Sequence, residues 1–130
     1  MFQNLAVFVT AYAMATHAGK KQALIAQNVA NADTPGYVAR DLPSFQDLYA
    51  SRDGGGHMPR ATRSGHLHGV ADGSVASMVQ KDRSFASPDG NTVSLETEML
   101  RGTDAKRQHE RALAIYGSAL SVLRTSLGRQ

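Results

Sequence analysis

The chain has no cysteine and no tryptophan. The first absence rules out disulfides and thiolate zinc sites and leaves the redox compartment open. Aromatic residues make up only 6% of the 130 positions, too few for a platform on which nucleic-acid bases would stack. Runs of like charge are missing as well. The net charge of +3 comes from scattered arginines, among them Arg52, Arg60, Arg63, Arg83, Arg101, Arg107, Arg111, Arg124 and Arg129. Scattered charge of this kind would tolerate an acidic partner but does not make a nucleic-acid interface.

A membrane span is lacking too. Phe2–Ala18 has the outline of a signal peptide, with small residues at Ala11, Ala13, Ala15 and Ala18. The first basic residues, Lys20 and Lys21, follow this stretch instead of preceding it. Gln3, Asn4, Thr10, Thr16 and His17 interrupt it, which argues against a direct passage through a bilayer. The expectation is a chain that leaves the cytoplasm, if it does, without a cleaved signal of the usual kind.

What is present is concentrated at the two ends. Apolar residues amount to 42%, an ordinary share, yet Ser51–Asn91 is rich in Gly, Ser, His and Arg and poor in large hydrophobes. The chain therefore divides into residues 1–50, a helix, a turn and a short second helix; residues 51–91, an irregular Gly-rich middle; and residues 92–130, a second long helix. The expected fold class is mainly α, with two long terminal amphipathic helices packing as a coiled-coil-like pair. Short β structure within the middle segment stays open as an alternative.

The first helix runs from about Phe2 to Asn31. Leu5, Phe8, Tyr12, Ala15, Gly19, Gln22, Ala26 and Val29 share one stripe by three/four spacing. Asn28–Asp41 then closes it with dense stop and turn signals. Asn31 and Asp33 tolerate left-handed backbone, and Thr34-Pro35-Gly36-Tyr37 is a turn in which Pro35 fixes one φ and Gly36 supplies a positive one. Leu42, Phe45 and Leu48 space a short helix that would fold back on the first, with Pro43 suited to its first position. Val75–Val79 reads equally as an edge strand or as irregular chain. Asp89-Gly90-Asn91 marks a turn.

The final helix has Ser94 as its cap and Glu96 and Glu98 in its first turn, where negative charge meets the helix dipole. Leu95, Met99, Gly102, Lys106, His109, Leu113, Tyr116, Leu120, Leu123 and Leu127 alternate by four and three, a heptad seam that is polar in its middle.

Candidate chemistry is thin. His57, His66 and His68 would need further ligands and second-shell support to hold a metal, and a Gly-rich loop gives them none. Asp89-Gly90-Asn91 lacks the alternating oxygen ligands of a calcium loop. Glu96/Glu98 and Asp104/Glu110 sit among Arg101, Lys106, Arg107 and Arg111, as on a solvated helix face. The Gly54–Gly56 triplet has no flanking strand and helix to make a phosphate cradle. No catalytic residue, metal, cofactor or small-molecule substrate is indicated, and the chain does not read as an enzyme.

The segment NVANADTPGYVARD at Asn28–Asp41, followed by Phe45 and Leu48, resembles the N-terminal signature of the bacterial flagellar rod and hook proteins. DGNTVSLETEM at Asp89–Met99 and Gly65-His66-Leu67 resemble further elements of the basal-body rod family, in the same order, over about half of the chain. Ser94 stands where that family often has Asp, which leaves capping intact, and Gly102 would weaken or bend the last helix. The resemblance implies a structural subunit of the proximal rod in the flagellar basal body, exported through the flagellar type III apparatus into the periplasm-spanning rod. Its implied partners are other flagellar rod proteins, basal-body ring and export-gate components, and further copies of itself, joined through the terminal helices. A soluble helical adaptor or export-chaperone-like module is the alternative from another class.

Overall fold

The computed structural model describes residues 2–54 and 79–128. In chain order the elements are α1 (Phe2–Ala30), β1 (Ala39–Asp41), α2 (Phe45–Gly54), β2 (Gln80–Asp82) and α3 (Leu95–Leu127). α1 and α3 have 29 and 33 residues, so they extend roughly 43 and 50 Å at the usual helical rise. Asn28 meets Glu98 at one end of the pair, and Phe8 meets Tyr116 toward the other, so the two helices form an antiparallel hairpin. The expected mainly helical fold, with two long helices packed on each other, is what the structure shows.

Small residues make the seam. On α1 the buried apolar positions are Ala11, Ala18 and Ile25, and on α3 the buried positions are Glu98, Ala105 and Ala112. Both series repeat every seven residues, which keeps one narrow face of each helix turned to its partner. Methyl groups let the backbones approach closely, and each alanine loses little side-chain entropy on packing. Gly102 lies on the same face: a Cβ there would stand 3.8 Å from Ile25 Cγ2. α3 runs through Gly102 without a break.

The large apolar residues expected to form the contact lie beside it. Leu95, Met99, Leu113 and Leu127 on α3 are exposed, as are Tyr12 and Val29 on α1. Leu120 and Leu123 are half-buried at the flank. Phe8 is also half-buried, with its ring centroid 5.1 Å from that of the partly exposed Tyr116 in an edge-on arrangement. Leu5 belongs to α1, but its side chain is outside the described residues. The choice of small residues at the seam has a physical reason. Periodicity weights bulk, whereas a close antiparallel contact selects small side chains at the position next to the bulky stripe.

Local signals account for the helix starts. Ser94 takes an extended conformation and its hydroxyl accepts from Thr97 N–H at 3.4 Å, closing the first turn of α3. Ser44 caps α2 in the same way, accepting from Asp47 N–H at 3.1 Å. Pro43 therefore precedes the cap instead of occupying the first helical position, and its carbonyl is left free to bond elsewhere. β1 and β2 pair antiparallel with Ala39 opposite Asp82, Arg40 opposite Lys81 and Asp41 opposite Gln80. The residues of the Gly-rich middle from 55 to 78, including His57, His66, His68 and most of Val75–Val79, lie outside the described residues.

If the alanine seam is close-packed, Ala112→Leu should destabilise the chain by about 1–3 kcal/mol through overpacking. Leu113→Ala, one position away and 53% exposed, should shift stability by no more than about 0.5 kcal/mol. Denaturant unfolding followed by circular dichroism checks both; equal effects would mean that the seam is not where the structure puts it.

Candidate functional site

At the closed end of the hairpin the two helices are joined by an elbow of buried polar groups. Asn28, in the last turn of α1, is fully buried. Its Nδ2 donates to the carbonyl of Arg40 at 2.8 Å and to Glu98 Oε2 at 3.0 Å. Its Oδ1 accepts from Arg40 N–H at 3.0 Å and from the Tyr37 hydroxyl at 3.3 Å. Both hydrogens and both lone pairs of the amide are thus engaged. Glu98 Oε1, on the buried carboxylate, accepts from Arg101 Nη1 at 3.0 Å.

The turn after α1 is held by a residue sixty positions away. Asn91, itself buried, places Nδ2 3.0, 2.6 and 2.9 Å from the carbonyls of Asn31, Ala32 and Thr34, its two hydrogens shared among the three acceptors. These carbonyls lie just past the helix end, where the chain's own ladder has run out. Within the turn, Tyr37 N–H donates to Thr34 O at 3.2 Å, and Gly36 has φ +71°, which gives the corner that a type II turn needs. Gly36 N–H donates to Asp89 O at 3.0 Å, and Thr92 N–H to Tyr37 O at 3.0 Å. Gly90, at φ +80°, lies so close that a Cβ on it would be 3.5 Å from Gly36 Cα. The two left-handed glycines therefore back onto each other. Thr92 Oγ1 completes the join, accepting from Ala39 N–H and donating to Asp82 O, both at 2.8 Å.

A charged cluster covers the elbow. Arg101 Nη2 donates to Asp82 Oδ2 at 2.6 Å, and its Nε is 3.8 Å from Asp41 Oδ2. Lys21 Nζ reaches Asp41 Oδ1 at 3.4 Å. The Ser84 hydroxyl and backbone N–H, with Arg101 adding to them, pull the Asp82 carboxyl down to about 2. Burial would lower Arg101, but Asp82, Asp41 and Glu98 outweigh it and raise its pKa.

Away from the elbow, large apolar side chains of both long helices remain exposed beside the seam. Tyr12, Met99 and Leu100 are exposed near the middle and closed end, and Leu113, Ile115 and Val122 toward the open end. Val7 and α3 residues Ile115, Ser118, Ala119 and Val122 line an open groove of about 500 Å³. Among the described residues no group of three or more His, Asp and Glu is placed to hold a metal, and no helix is long and apolar enough to cross a membrane.

Known proteins match this chain over the second half of α1 and the turn, and more widely along its length. Residues 13–37, covering the second half of α1 and the turn, match the model of the flagella basal body rod proteins. The flagellar basal body rod protein FlgB of Salmonella typhimurium is 33% identical over 107 residues, spanning 78% of each chain. This chain belongs to the flagellar basal body rod protein family. FlgB of Cereibacter sphaeroides is 29% identical over 104 residues, 80% of each chain. FlgB of Agrobacterium fabrum is 28% identical over 116 residues, covering 83% of this chain and 82% of its own. The family is a structural one, and no catalytic activity is indicated for it.

Of the turn residues singled out in the sequence, Asn28, Asn31, Thr34, Gly36 and Tyr37 are brought together in the elbow, while Asp33 and Pro35 are exposed at its tip. Glu98, Asn91, Thr92, Asp82 and Arg101 complete the site without having been assigned a role there. Asn91 and Glu98 did lie inside the second family-like stretch, which was the available signal. Two outcomes follow for this rod protein. Asn91→Ala strips hydrogen bonds from three carbonyls and should lower stability by about 1–3 kcal/mol in denaturant unfolding. Asp82 has its folded pKa below the usual 3.8, so its stabilising effect is complete above that value and is lost as pH falls toward about 2. Acid titration by circular dichroism should show this loss, on the order of 1 kcal/mol after solvent screening, and Asp82→Asn should remove it.

Proposed function

We propose that this chain is a structural subunit of the proximal rod, assembling through its terminal helices into the axial drive shaft of the flagellar basal body. In this reading the elbow fixes the geometry of the hairpin, and the exposed apolar flank docks on neighbouring rod proteins and on further copies of the chain. The observation that carries it is the separation of the two surfaces. The small, polar residues close the hairpin on itself, and the large apolar ones of both helices are left facing out. Burying that flank against equivalent helices would contribute roughly 25 cal/mol per Å² of apolar surface. The FlgB relatives, named as flagellar basal body rod proteins, support the same assignment. Export through the flagellar type III apparatus and contacts with ring and export-gate components at the rod base belong to this proposal.

The deciding experiment is mass spectrometry of purified hook–basal bodies together with motility of a deletion strain. Stoichiometric peptides and loss of motility are expected; absence from the particles with intact motility would overturn the reading. Point variants separate the two surfaces. Leu113→Glu should leave folding within about 0.5 kcal/mol yet abolish incorporation, because it charges an exposed docking residue. Gly36→Val places a β-branched side chain at φ +71°, a strain of about 1–3 kcal/mol, and should impair assembly through the elbow.

A further inference from the structure

One buried titratable group is used neither by the elbow nor by the exposed flank. His17 of α1 is only 5% exposed, and its Nε2 lies 3.0 Å from the carbonyl oxygen of Pro43, just before α2. Its ring packs on Phe45, the first residue of α2, with centroids 5.7 Å apart, and Phe45 continues the contact to Tyr49 at 5.8 Å. Nδ1 is buried and has no hydrogen-bond partner among the described residues. This environment assigns the tautomer: Nε2 carries the proton and donates to Pro43, while Nδ1 is bare. A second proton has only Nδ1 to go to. There it would create a charged N–H, buried and without an acceptor.

The surrounding charges do not rescue it. Lys21 and Lys20 on α1 repel a cation at His17. Asp41 of β1 attracts one, but it is already engaged by Lys21 at 3.4 Å and by Arg101 of α3 at 3.8 Å. On α2, Asp47 accepts a hydrogen bond from the Ser44 hydroxyl at 2.6 Å. Burial is the largest influence and holds the His17 pKa below its ordinary 6.5, against the opposing pull of the Pro43 hydrogen bond.

We propose that His17 is a pH-sensitive latch: neutral, it roots α2 on α1, and protonated at Nδ1 it must leave its pocket and release the start of α2 from the hairpin. The sign follows from linkage. A depressed folded pKa means that the docked state has its full support above 6.5 and loses it as pH falls below that value. Asp82 in the elbow is pulled below 3.8, so on acidification the docking of α2 begins to lose support at a higher pH than the Asp82 bonds of the elbow do. The latch thus detaches the root of the middle segment without opening the helix pair, and it does not depend on the rod assignment.

Hydrogen exchange by mass spectrometry on the full chain tests this, with rates corrected for their intrinsic pH dependence. Between about pH 7.5 and pH 5, amides of residues 44–49 should lose protection on the order of tenfold, while those of residues 92–98 should not. In His17→Gln, whose amide can still donate to Pro43, the protection of residues 44–49 should no longer depend on pH. Unchanged protection in the wild type, or the same acid loss in wild type and variant, would overturn the latch. If His17→Gln has already lost protection at pH 7.5, the wild-type His17 ring is titrated by NMR. A midpoint coincident with the loss of α2 protection supports the proposal, and a separate midpoint overturns it.

Discussion

A side-chain amide with no access to water must find partners for two hydrogens and two acceptor sites, and the position of Asn28 decides where the rest of the chain can go. Its partners come from the turn that follows α1, from the backbone of β1 and from a carboxylate on α3. Each unsatisfied buried group would cost about 1–3 kcal/mol, a sizeable share of the stability of a small domain. The amide therefore acts as a specification. The chain must leave α1 at one angle, β1 must lie at one height, and α3 must arrive with Glu98 facing inward. By comparison, the ion pairs above the elbow are partly exposed and individually weak, so they tune the joint more than they define it.

The helix pair divides its labour between two kinds of side chain. Alanines at Ala11, Ala18, Ala105 and Ala112 bring α1 and α3 together, and a narrow seam suffices for that. The larger residues are thereby displaced to the flank, where a monomer has no use for them. In an isolated protein large exposed apolar side chains are a liability for solubility. Stability within the chain thus rests on residues other than the large exposed ones, so either set can be altered without the other.

Most of the secondary structure was legible because it follows from local chemistry. Ser94 announces the start of α3, the spacing of apolar residues gives both long helices, and Thr34-Pro35-Gly36-Tyr37 states its own turn. The helix pair itself was legible; its facing residues were not. Alanine adds little to a hydrophobic pattern, so Leu113 and Tyr12 outweighed Ala112 and Ala11 although the latter are buried. The candidate site was half legible. Gly36 and Asn28 stand in a recognisable motif, but a link from Asn91 to Asn31 spans sixty residues, and nothing local announces it. Glu98 was read as a charge at a helix N-terminus, a role that does not require burial, and His17 as an interruption in an apolar stretch.

The reach of Asn91 back to the end of α1 also bears on time. A chain that is threaded from its N-terminus delivers Asn28 and Asn31 long before Asn91 and Glu98. Until those arrive, the Asn28 amide lacks its bond to Glu98, and the carbonyls of Asn31, Ala32 and Thr34 lack those from Asn91. High contact order of this sort makes closure wait for the late segment, because the loop between must be ordered before any bond rewards it. The signature at the N-terminal end is then a lock whose key is carried near the other end of the same chain.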